Sequence, residues 1–369
     1  MRRSYGWLAM AIVPLLLEAC STFVAHKIEH PDRSQHQAWK PVRDYLSDSG
    51  FRYESFSTSD GVRLAYWRGD PRAYAIKDLV LVSTSKQRFK LVLDVGDASG
   101  AAAALTPRGS VVLLHPWEME GAVMLMWAYH FAAAGYVVVM PDLRAQGGSS
   151  LAPVGFGPRE GDDVAQLVSA LRRAHQLPDP LYLMGASYGG SVALFAAKEL
   201  GDVRGVVALE PYANAADVIR QAPATGMFGS HWLASLIGPA SIDAGIERAG
   251  RELGVDLNQI NAADTLGNNS RCTLVIRGAH DTLLSADALR DLAAHSPQAS
   301  YVEVSDEGHI TLPARSDRIV QPLLAWMAQV PADTGNHCPG FEPLPAPPPP
   351  TAAQRRGWSA QYMVITGGT

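Results

Sequence analysis

The clearest chemical signal in the sequence lies at residues 185–189, which read Gly-Ala-Ser-Tyr-Gly. The apolar run at 181–184 leads into this segment, and an Ala-rich stretch follows it. This order predicts a tight strand-to-helix turn that exposes the hydroxyl of Ser187 as a nucleophile. We expect side chains at Gly185 and Gly189 to be excluded, because they would collide with the neighbouring strand and helix.

Two later strand ends offer the partners that a serine nucleophile needs. A serine hydroxyl requires a base to take its proton and an acid to orient that base. Asp281 follows the apolar run at 273–276, and His309 follows the run at 301–304. Ligand-binding residues of open α/β sheets gather at the carboxyl ends of the strands. The sequence therefore predicts a catalytic triad of Ser187, Asp281 and His309.

The acid and the base each have a competing interpretation. Asp281 could instead cap the helix that follows, although Ser285 also fits that role. His280 is adjacent to Asp281 and is a competing candidate for the base. Among eleven histidines, His309 alone follows the terminal strand with a glycine before it, which favours His309.

Composition indicates a globular protein with a large core. The chain has 369 residues, of which 47% are hydrophobic and 18% are charged, enough for one large domain or two medium ones. The net charge of -5 gives no basic patch, so nucleic acid is not an expected partner. Triad chemistry needs neither a metal nor a cofactor, and none is predicted.

A mostly parallel sheet with helices on both faces is predicted from about residue 110 onwards. The run at 111–114 is continuously apolar, as is typical of a strand buried on both faces, and further strands are expected at 136–140, 181–184, 206–209, 273–276 and 301–304. Helical spacing separates them at about 121–134, 160–175, 190–200, 285–295 and 316–329. Alternation of this kind is typical of α/β proteins. Before it, a hairpin at 53–68 and antiparallel strands at 79–82 and 89–95 are expected.

We expect the folded domain to span residues 51–331. An insertion at about 212–268 lacks strand patterns and predicts a small helical cap over the site. Met227, Phe228 and Trp232 supply apolar bulk there and are candidates for the substrate pocket. The proline-rich tail at 332–369 is expected to be extended, solvated and unpacked.

The amino terminus resembles a bacterial lipoprotein signal. Arg2 and Arg3 precede a short apolar run at 8–17, and Leu17-Glu18-Ala19-Cys20 follows. This predicts a signal peptide at 1–19, lipid on Cys20 and a polar tether at 20–50. Glu18 departs from the usual pattern, and an ordinary cleaved signal or an uncleaved anchor is the alternative. The resemblance implies a lipid anchor in the bacterial cell envelope, and Ser21 implies an outer membrane, facing the periplasm.

Over residues 55–330 the chain resembles α/β-hydrolases, and within them dienelactone hydrolases and prolyl-oligopeptidase-like peptidases. The match is carried by Ser-Tyr-Gly-Gly at 187–190, Gly-x-x-Asp at 278–281, Gly-His at 308–309 and the Asp-Leu-Arg-Ala loop at 142–145. Ala145 replaces a glycine of the family in that structural loop. The resemblance implies an α/β-hydrolase fold, with a mostly parallel central sheet, helices on both faces and a small cap.

The same resemblance implies an oxyanion hole made by the backbone N–H groups of Trp117 and Tyr188. In the family the loop after the strand at 111–114 reads His-Gly-x, and here it reads His115-Pro116-Trp117. Pro116 restricts how this loop can bend, because proline fixes φ. His115 is expected to orient the loop.

Cys272 begins a strand, and Cys338 follows the final helix, so both are expected at the bottom of the sheet. A disulfide between them is one prediction, and a free buried Cys272 with a mobile Cys338 is the other.

The function that best fits these residues is hydrolysis of a carboxylic ester through an acyl-enzyme, with a small-molecule ester or acyl compound as substrate. A peptidase or amidase with the same triad is the alternative, and acyl transfer to a lipid or sugar is another. A non-catalytic binding lipoprotein on a hydrolase scaffold is also considered, since fold alone does not define function.

Overall fold

An eight-stranded sheet forms the centre of the protein. The computed structural model describes residues 5–83, 88–96, 102–225, 237–267, 271–332, 337–345 and 363–367. The central strands are β1 (Arg52–Ser57), β2 (Arg63–Gly69), β5 (Gly109–Leu114), β6 (Tyr136–Pro141), β7 (Leu181–Ala186), β8 (Gly205–Leu209), β9 (Cys272–Gly278) and β10 (Ala299–Val304). Their order is β1-β2-β6-β5-β7-β8-β9-β10. β1 pairs antiparallel with β2, and β2 pairs antiparallel with β6. All the remaining pairs of neighbouring strands in this sheet are parallel.

Helices cover both faces of this sheet, as the apolar runs predicted. They are α1 (Tyr5–Glu29), α2 (Lys40–Asp48), α3 (Leu125–Ala133), α4 (Pro158–Arg173), α5 (Tyr188–Leu200), α6 (Ala215–Gln221), α7 (Pro239–Leu253), α8 (Ala286–Ala294) and α9 (Ser316–Gln329). Side chains alternate along each strand, so Val112 and Leu114 face α4 and α5, whereas Val111 and Leu113 face α3 and α9. All residues of β5 to β9 are buried, which confirms the predicted α/β architecture.

The predicted insertion is helical where the structure describes it. It contains α6, α7 and two 3₁₀ segments, at Ala222–Thr225 and Ala262–Thr265. Met227, Phe228 and Trp232, the predicted pocket residues, lie outside the described residues.

The segment predicted as a tether at 20–50 is packed against the domain, so that prediction was wrong. Val24, Ala25 and Ile28 on α1 are buried against α7, and Leu46 on α2 is fully buried under the other face. Positions 24, 25 and 28 share one face of a helix, so their apolar side chains form a stripe that can be buried. The polar composition of the whole segment conceals this stripe. None of the helices within the described residues has both the length and the apolar character to cross a membrane.

The carboxyl-terminal tail is also not simply solvated, contrary to the prediction. Residues Met363–Gly367 form β11, which pairs antiparallel with β4 (Arg88–Gly96) in a second sheet that also contains β3 (Ala75–Ser83). The exposed edge of β4 offers unpaired backbone groups, and an apolar, β-branched segment of the tail satisfies them. At Leu344 the tail exchanges hydrogen bonds with Arg318 of α9.

A disulfide joins Cys272 at the start of β9 to Cys338 after α9. The first of the two predictions for these cysteines is therefore confirmed. Trp326 of α9 also donates a hydrogen bond to the carbonyl of Pro339, at 3.1 Å. The start of the tail is thus fastened to the bottom of the sheet at two neighbouring points.

Candidate active site

Ser187 occupies a sharp turn between β7 and α5. Its backbone has φ 52° and ψ -118°, a region that non-glycine residues rarely adopt. A Cβ atom on Gly185 would lie 2.0 Å from the carbonyl oxygen of Gly189, and one on Gly189 would lie 2.2 Å from that of Leu114. Both glycines are therefore required by close approach of the helix and the neighbouring strand, as the sequence predicted.

The structure brings the three predicted triad residues into one hydrogen-bonded chain. Ser187 Oγ lies 2.9 Å from His309 Nε2, and His309 Nδ1 lies 2.8 Å from Asp281 Oδ2. Each residue follows a different strand, β7, β9 or β10, at the same edge of the sheet. The competing base His280 makes no hydrogen bond to Ser187 in the described part of the chain.

Asp281 accepts the last hydrogen bond in this series, from His309. Its Oδ1 accepts the N–H groups of Leu283 and Leu284, at 2.7 and 2.9 Å. Burial alone would raise the pKa of Asp281, but the hydrogen bond and charge of His309 outweigh it and hold the pKa at about 2. Asp281 is therefore a carboxylate at neutral pH, and it favours the tautomer of His309 that carries its proton on Nδ1.

The two predicted oxyanion donors flank the serine. The Trp117 ring lies 4.9 Å from the Tyr188 ring, and both residues line the same cavity as Ser187. The backbone N–H groups of Trp117 and Tyr188 make no hydrogen bond to any described residue, so both are available to a ligand. Their role as an oxyanion hole stays a prediction.

His115 orients the loop after β5, as expected. Its Nδ1–H donates to the carbonyl of Pro116 at 2.7 Å, and its Nε2 accepts the N–H of Leu143 at 2.9 Å. Complete burial lowers the pKa of His115, so the ring is neutral and keeps this donor–acceptor arrangement. Pro116 therefore supplies the carbonyl that anchors the ring.

The amino-terminal segment braces that loop from outside, which sequence reasoning missed. Glu120, at the end of the loop, accepts from Arg43 Nη1 at 2.8 and 2.9 Å and also contacts the His36 ring. The N–H of Asp32 donates to Glu118 at 3.0 Å, and Arg33 donates to the carbonyl of Gly147. Burial is the main reason why the pKa of Glu120 is raised. No motif marks these pairs, because their members are far apart in the chain.

A narrow apolar cavity opens beside Ser187. Its volume is about 50 Å³, and its walls include Ile28, Trp117, Phe156, Tyr212, Val218 and Leu283. Ile28 comes from α1, and Val218 comes from α6 of the insertion. Of these residues, only Trp117 was named from the sequence, as an oxyanion donor. Tyr212 could have been inferred from its position, because it lies three residues after the end of β8.

Glu210 is the polar site residue that sequence reasoning missed. It directly follows β8, its side chain is fully buried, and its Oε1 accepts the N–H of Gly278 at 2.6 Å. Ligand atoms of Glu210, Asp281 and His309 lie within 4.8 Å of one another, the one such convergence among the described residues. The hydrogen bond between His309 and Asp281 accounts for one of these contacts, and Glu210 lies beside that pair. Burial, followed by the charge of Asp281, raises the pKa of Glu210 well above 4.5.

Comparison with known proteins supports the architecture. The model of the alpha/beta hydrolase family matches residues 111–343. A search of curated proteins finds no match. Similar solved structures include an esterase from Pyrococcus furiosus, with 20% identity and a TM-score of 0.53, covering 82% of this chain and 96% of that one.

Two further structures are similar at lower identity. A putative lipase from Acinetobacter baumannii AYE has 15% identity and a TM-score of 0.53, covering 81% of this chain and 97% of its own. A membrane phospholipase A, described as a bacterial virulence factor, has 16% identity and a TM-score of 0.53, covering 89% and 99%. At these identities the likeness shows a shared fold alone.

The finer resemblance to dienelactone hydrolases and prolyl-oligopeptidase-like peptidases stays a prediction. The family match covers more than half of the sequence and agrees with the strand order of the central sheet. The chain belongs to the alpha/beta hydrolase family.

Proposed function

We propose that the protein is a serine hydrolase that cleaves carboxylic esters through an acyl-enzyme. The observation that carries the proposal is the continuous hydrogen-bonded chain from Ser187 Oγ through His309 to Asp281, with links of 2.9 and 2.8 Å. Nucleophile and base are within hydrogen-bond reach, and a third group orients the base, which is the arrangement that nucleophilic catalysis requires.

In the proposed mechanism, Ser187 Oγ attacks the ester carbonyl carbon while its proton passes to Nε2 of His309. Asp281 stabilises the imidazolium that forms, because it accepts from Nδ1 and remains ionised. The carbonyl oxygen becomes an oxyanion that the N–H groups of Trp117 and Tyr188 can receive. His309 then returns the proton to the departing alkoxide oxygen.

The second half of the reaction reverses these roles with water. His309 takes a proton from a water molecule, whose oxygen attacks the acyl carbon bound to Ser187. Collapse of the second tetrahedral intermediate breaks the bond to Oγ, and His309 returns the proton to it. The products are a carboxylic acid and the free serine.

The cavity favours a short acyl chain. Because a water-sized group needs roughly 10–15 Å³ on this scale, a cavity of about 50 Å³ holds about three to five such groups. Its walls next to Ser187 are mostly aromatic and aliphatic, which suits an apolar acyl group. We therefore propose acetate to butyrate esters as the preferred substrates.

The test is hydrolysis of p-nitrophenyl esters from acetate to palmitate by the full chain in detergent. We expect a short-chain optimum, and we expect Ser187→Ala to lose at least about 10³-fold in kcat, because the nucleophile is removed. The matched control is Ser59→Ala, which removes an exposed hydroxyl from the turn between β1 and β2 and is expected to leave kcat unchanged.

Labelling with a fluorophosphonate probe separates the alternatives. Labelling of Ser187 without turnover of any ester would contradict ester hydrolysis and would indicate an amidase or an acyltransferase. Neither labelling nor turnover would contradict a catalytic role altogether and would favour a binding protein.

We also propose that Cys20 carries lipid. Its side chain is free and partly exposed on α1. Mass spectrometry of the amino-terminal peptide tests this, with Cys20→Ala as the control. Recovery of the wild-type peptide without lipid, whether cleaved elsewhere or uncleaved, would contradict the proposal.

A further inference from the structure

Glu210 is a buried carboxyl group that the mechanism above does not use. It directly follows β8, and its residue is 0% exposed. Its backbone has φ 51°, and its N–H donates to the carbonyl of Ile276 at 2.8 Å. An acidic side chain is costly to bury without partners, so its surroundings must account for it.

The two oxygens of Glu210 have different partners. Oε1 accepts the N–H of Gly278 at 2.6 Å. Oε2 is buried and accepts no hydrogen bond from any described residue. A ligand oxygen of Glu210 lies within 4.8 Å of one of Asp281, and both carboxyl groups are buried. Two ionised carboxyl groups this close together in a buried site repel each other, which favours a proton on one of them.

The surrounding donors decide which one holds it. Asp281 accepts three N–H groups, from Leu283, Leu284 and His309, whereas Glu210 accepts only that of Gly278. Hydrogen-bond donors stabilise the ionised form, so the proton resides on Glu210.

One cation also lies near this pair. Arg277 directs its guanidinium N–H groups to the carbonyls of Asp281 and Leu284 and to Glu303, and none of these hydrogen bonds reaches Glu210. Its charge favours both ionised carboxyls, but it does not offset the burial of Glu210 next to Asp281.

We propose that Glu210 is a neutral acid whose Oε2–H donates to Asp281, and that this bond holds Asp281 in line with His309 Nδ1. Glu210 is then a positioning residue that acts through Asp281. The inference rests on the proposed function for the role of Asp281, whereas the proton on Glu210 can be measured without it.

Kinetics of two variants of the full chain test the positioning role. Glu210→Gln keeps an acceptor for Gly278 and an N–H donor for Asp281, so we expect kcat/KM within about threefold of wild type. Glu210→Met removes both, and we expect kcat to fall about 10- to 100-fold with little change in KM, the loss typical of a hydrogen bond to a charged group. An equal loss in both variants would overturn the proposal.

The pH profile of Glu210→Gln tests whether Glu210 is neutral or ionised. Its acid limb reports protonation of the base. We expect this limb to stay in place, because a neutral acid is replaced by a neutral amide. If Glu210 were ionised, removing its charge would move the limb lower by more than about one pH unit, and that result would overturn the proposal even where Glu210→Met does not fold.

Infrared spectroscopy measures the proton directly. We expect the C=O stretch of a protonated carboxyl group at pH 8, absent in Glu210→Gln. The matched control is Glu307→Gln, because Glu307 is a buried carboxylate paired with Arg315 and Arg318, at 2.9 and 3.1 Å. The band should persist in that variant, and its absence from the wild type would overturn the proposal.

The infrared result also separates this inference from the proposed function. A wild-type chain with the band but without ester turnover or fluorophosphonate labelling would overturn the proposed function and the positioning role together. It would still support a neutral Glu210.

Discussion

The ion pair between Arg43 and Glu120 joins the amino-terminal segment to the loop that carries Trp117. The Glu120 side chain is 2% exposed and that of Arg43 is 17% exposed, so Arg43→Ala leaves a buried carboxylate without its main partner. Removing one member of a buried pair costs about 3–5 kcal/mol. We expect about 3 kcal/mol, at the lower end, because His36 still contacts Glu120.

Urea denaturation of the full chain measures this loss of unfolding free energy. The matched control is Lys40→Ala on the same helix, since the Lys40–Asp44 pair is exposed at 64% and 58% and should contribute at most about 0.5 kcal/mol. In parallel, kcat/KM for p-nitrophenyl acetate should fall about tenfold in Arg43→Ala, because a misplaced oxyanion donor weakens transition-state binding.

A double-mutant cycle shows whether the pair itself is responsible. Arg43→Ala and Glu120→Ala should couple by more than about 1 kcal/mol, as contacting residues do. If Arg43→Ala lowers the unfolding free energy no more than Lys40→Ala does, and if Arg43→Ala and Glu120→Ala are additive, residues 32–43 do not brace the loop.

Three further predictions concern other parts of the fold. Gly189→Ala should abolish fluorophosphonate labelling, because its Cβ would lie 2.2 Å from the carbonyl oxygen of Leu114; labelling at the wild-type rate would refute the tight turn. Replacing both Cys272 and Cys338 by Ser should lower the unfolding free energy by about 4 kcal/mol, as expected for a 66-residue loop, measured by urea denaturation under non-reducing conditions. Because the pKa of Glu210 is raised, the folded state holds a proton that the unfolded state releases above pH 4.5. The stability contributed by this proton is therefore complete below pH 4.5 and declines as the pH rises. Relative to wild type, Glu210→Gln should therefore gain up to about 1.4 kcal/mol per pH unit between pH 5 and 8, and a constant difference would contradict the shift.

The triad could be predicted from the sequence because Ser187, Asp281 and His309 each lie within five residues of the end of a strand. Ser187 also lies between two glycines whose close contacts leave room for no other residue, so the turn is visible as a motif. Helix α9 was predicted with its observed bounds, since its apolar spacing is uninterrupted apart from Pro322.

The remaining features depend on contacts that no local pattern records. Arg43 and Glu120 are 77 residues apart, and either one alone resembles an ordinary surface charge. Glu210 follows a strand as Asp281 does, but its role depends on the donors that surround both carboxyl groups. Strand β11 forms by pairing with the edge of β4, and the sequence does not show which strand has an unpaired edge.

Helix α1 links the candidate lipidation site to the cavity without a flexible spacer. Ile28 lines the cavity, and Cys20 precedes it by eight residues of the same helix, a distance of about 12 Å along the axis at 1.5 Å per residue. A lipid on Cys20 would therefore set the height of Ser187, the proposed nucleophile, above the bilayer within narrow limits. The active site would then reach only a thin layer of solution next to the lipid headgroups. The rate at which it meets substrate would depend on the surface density of substrate in the membrane rather than on its bulk concentration.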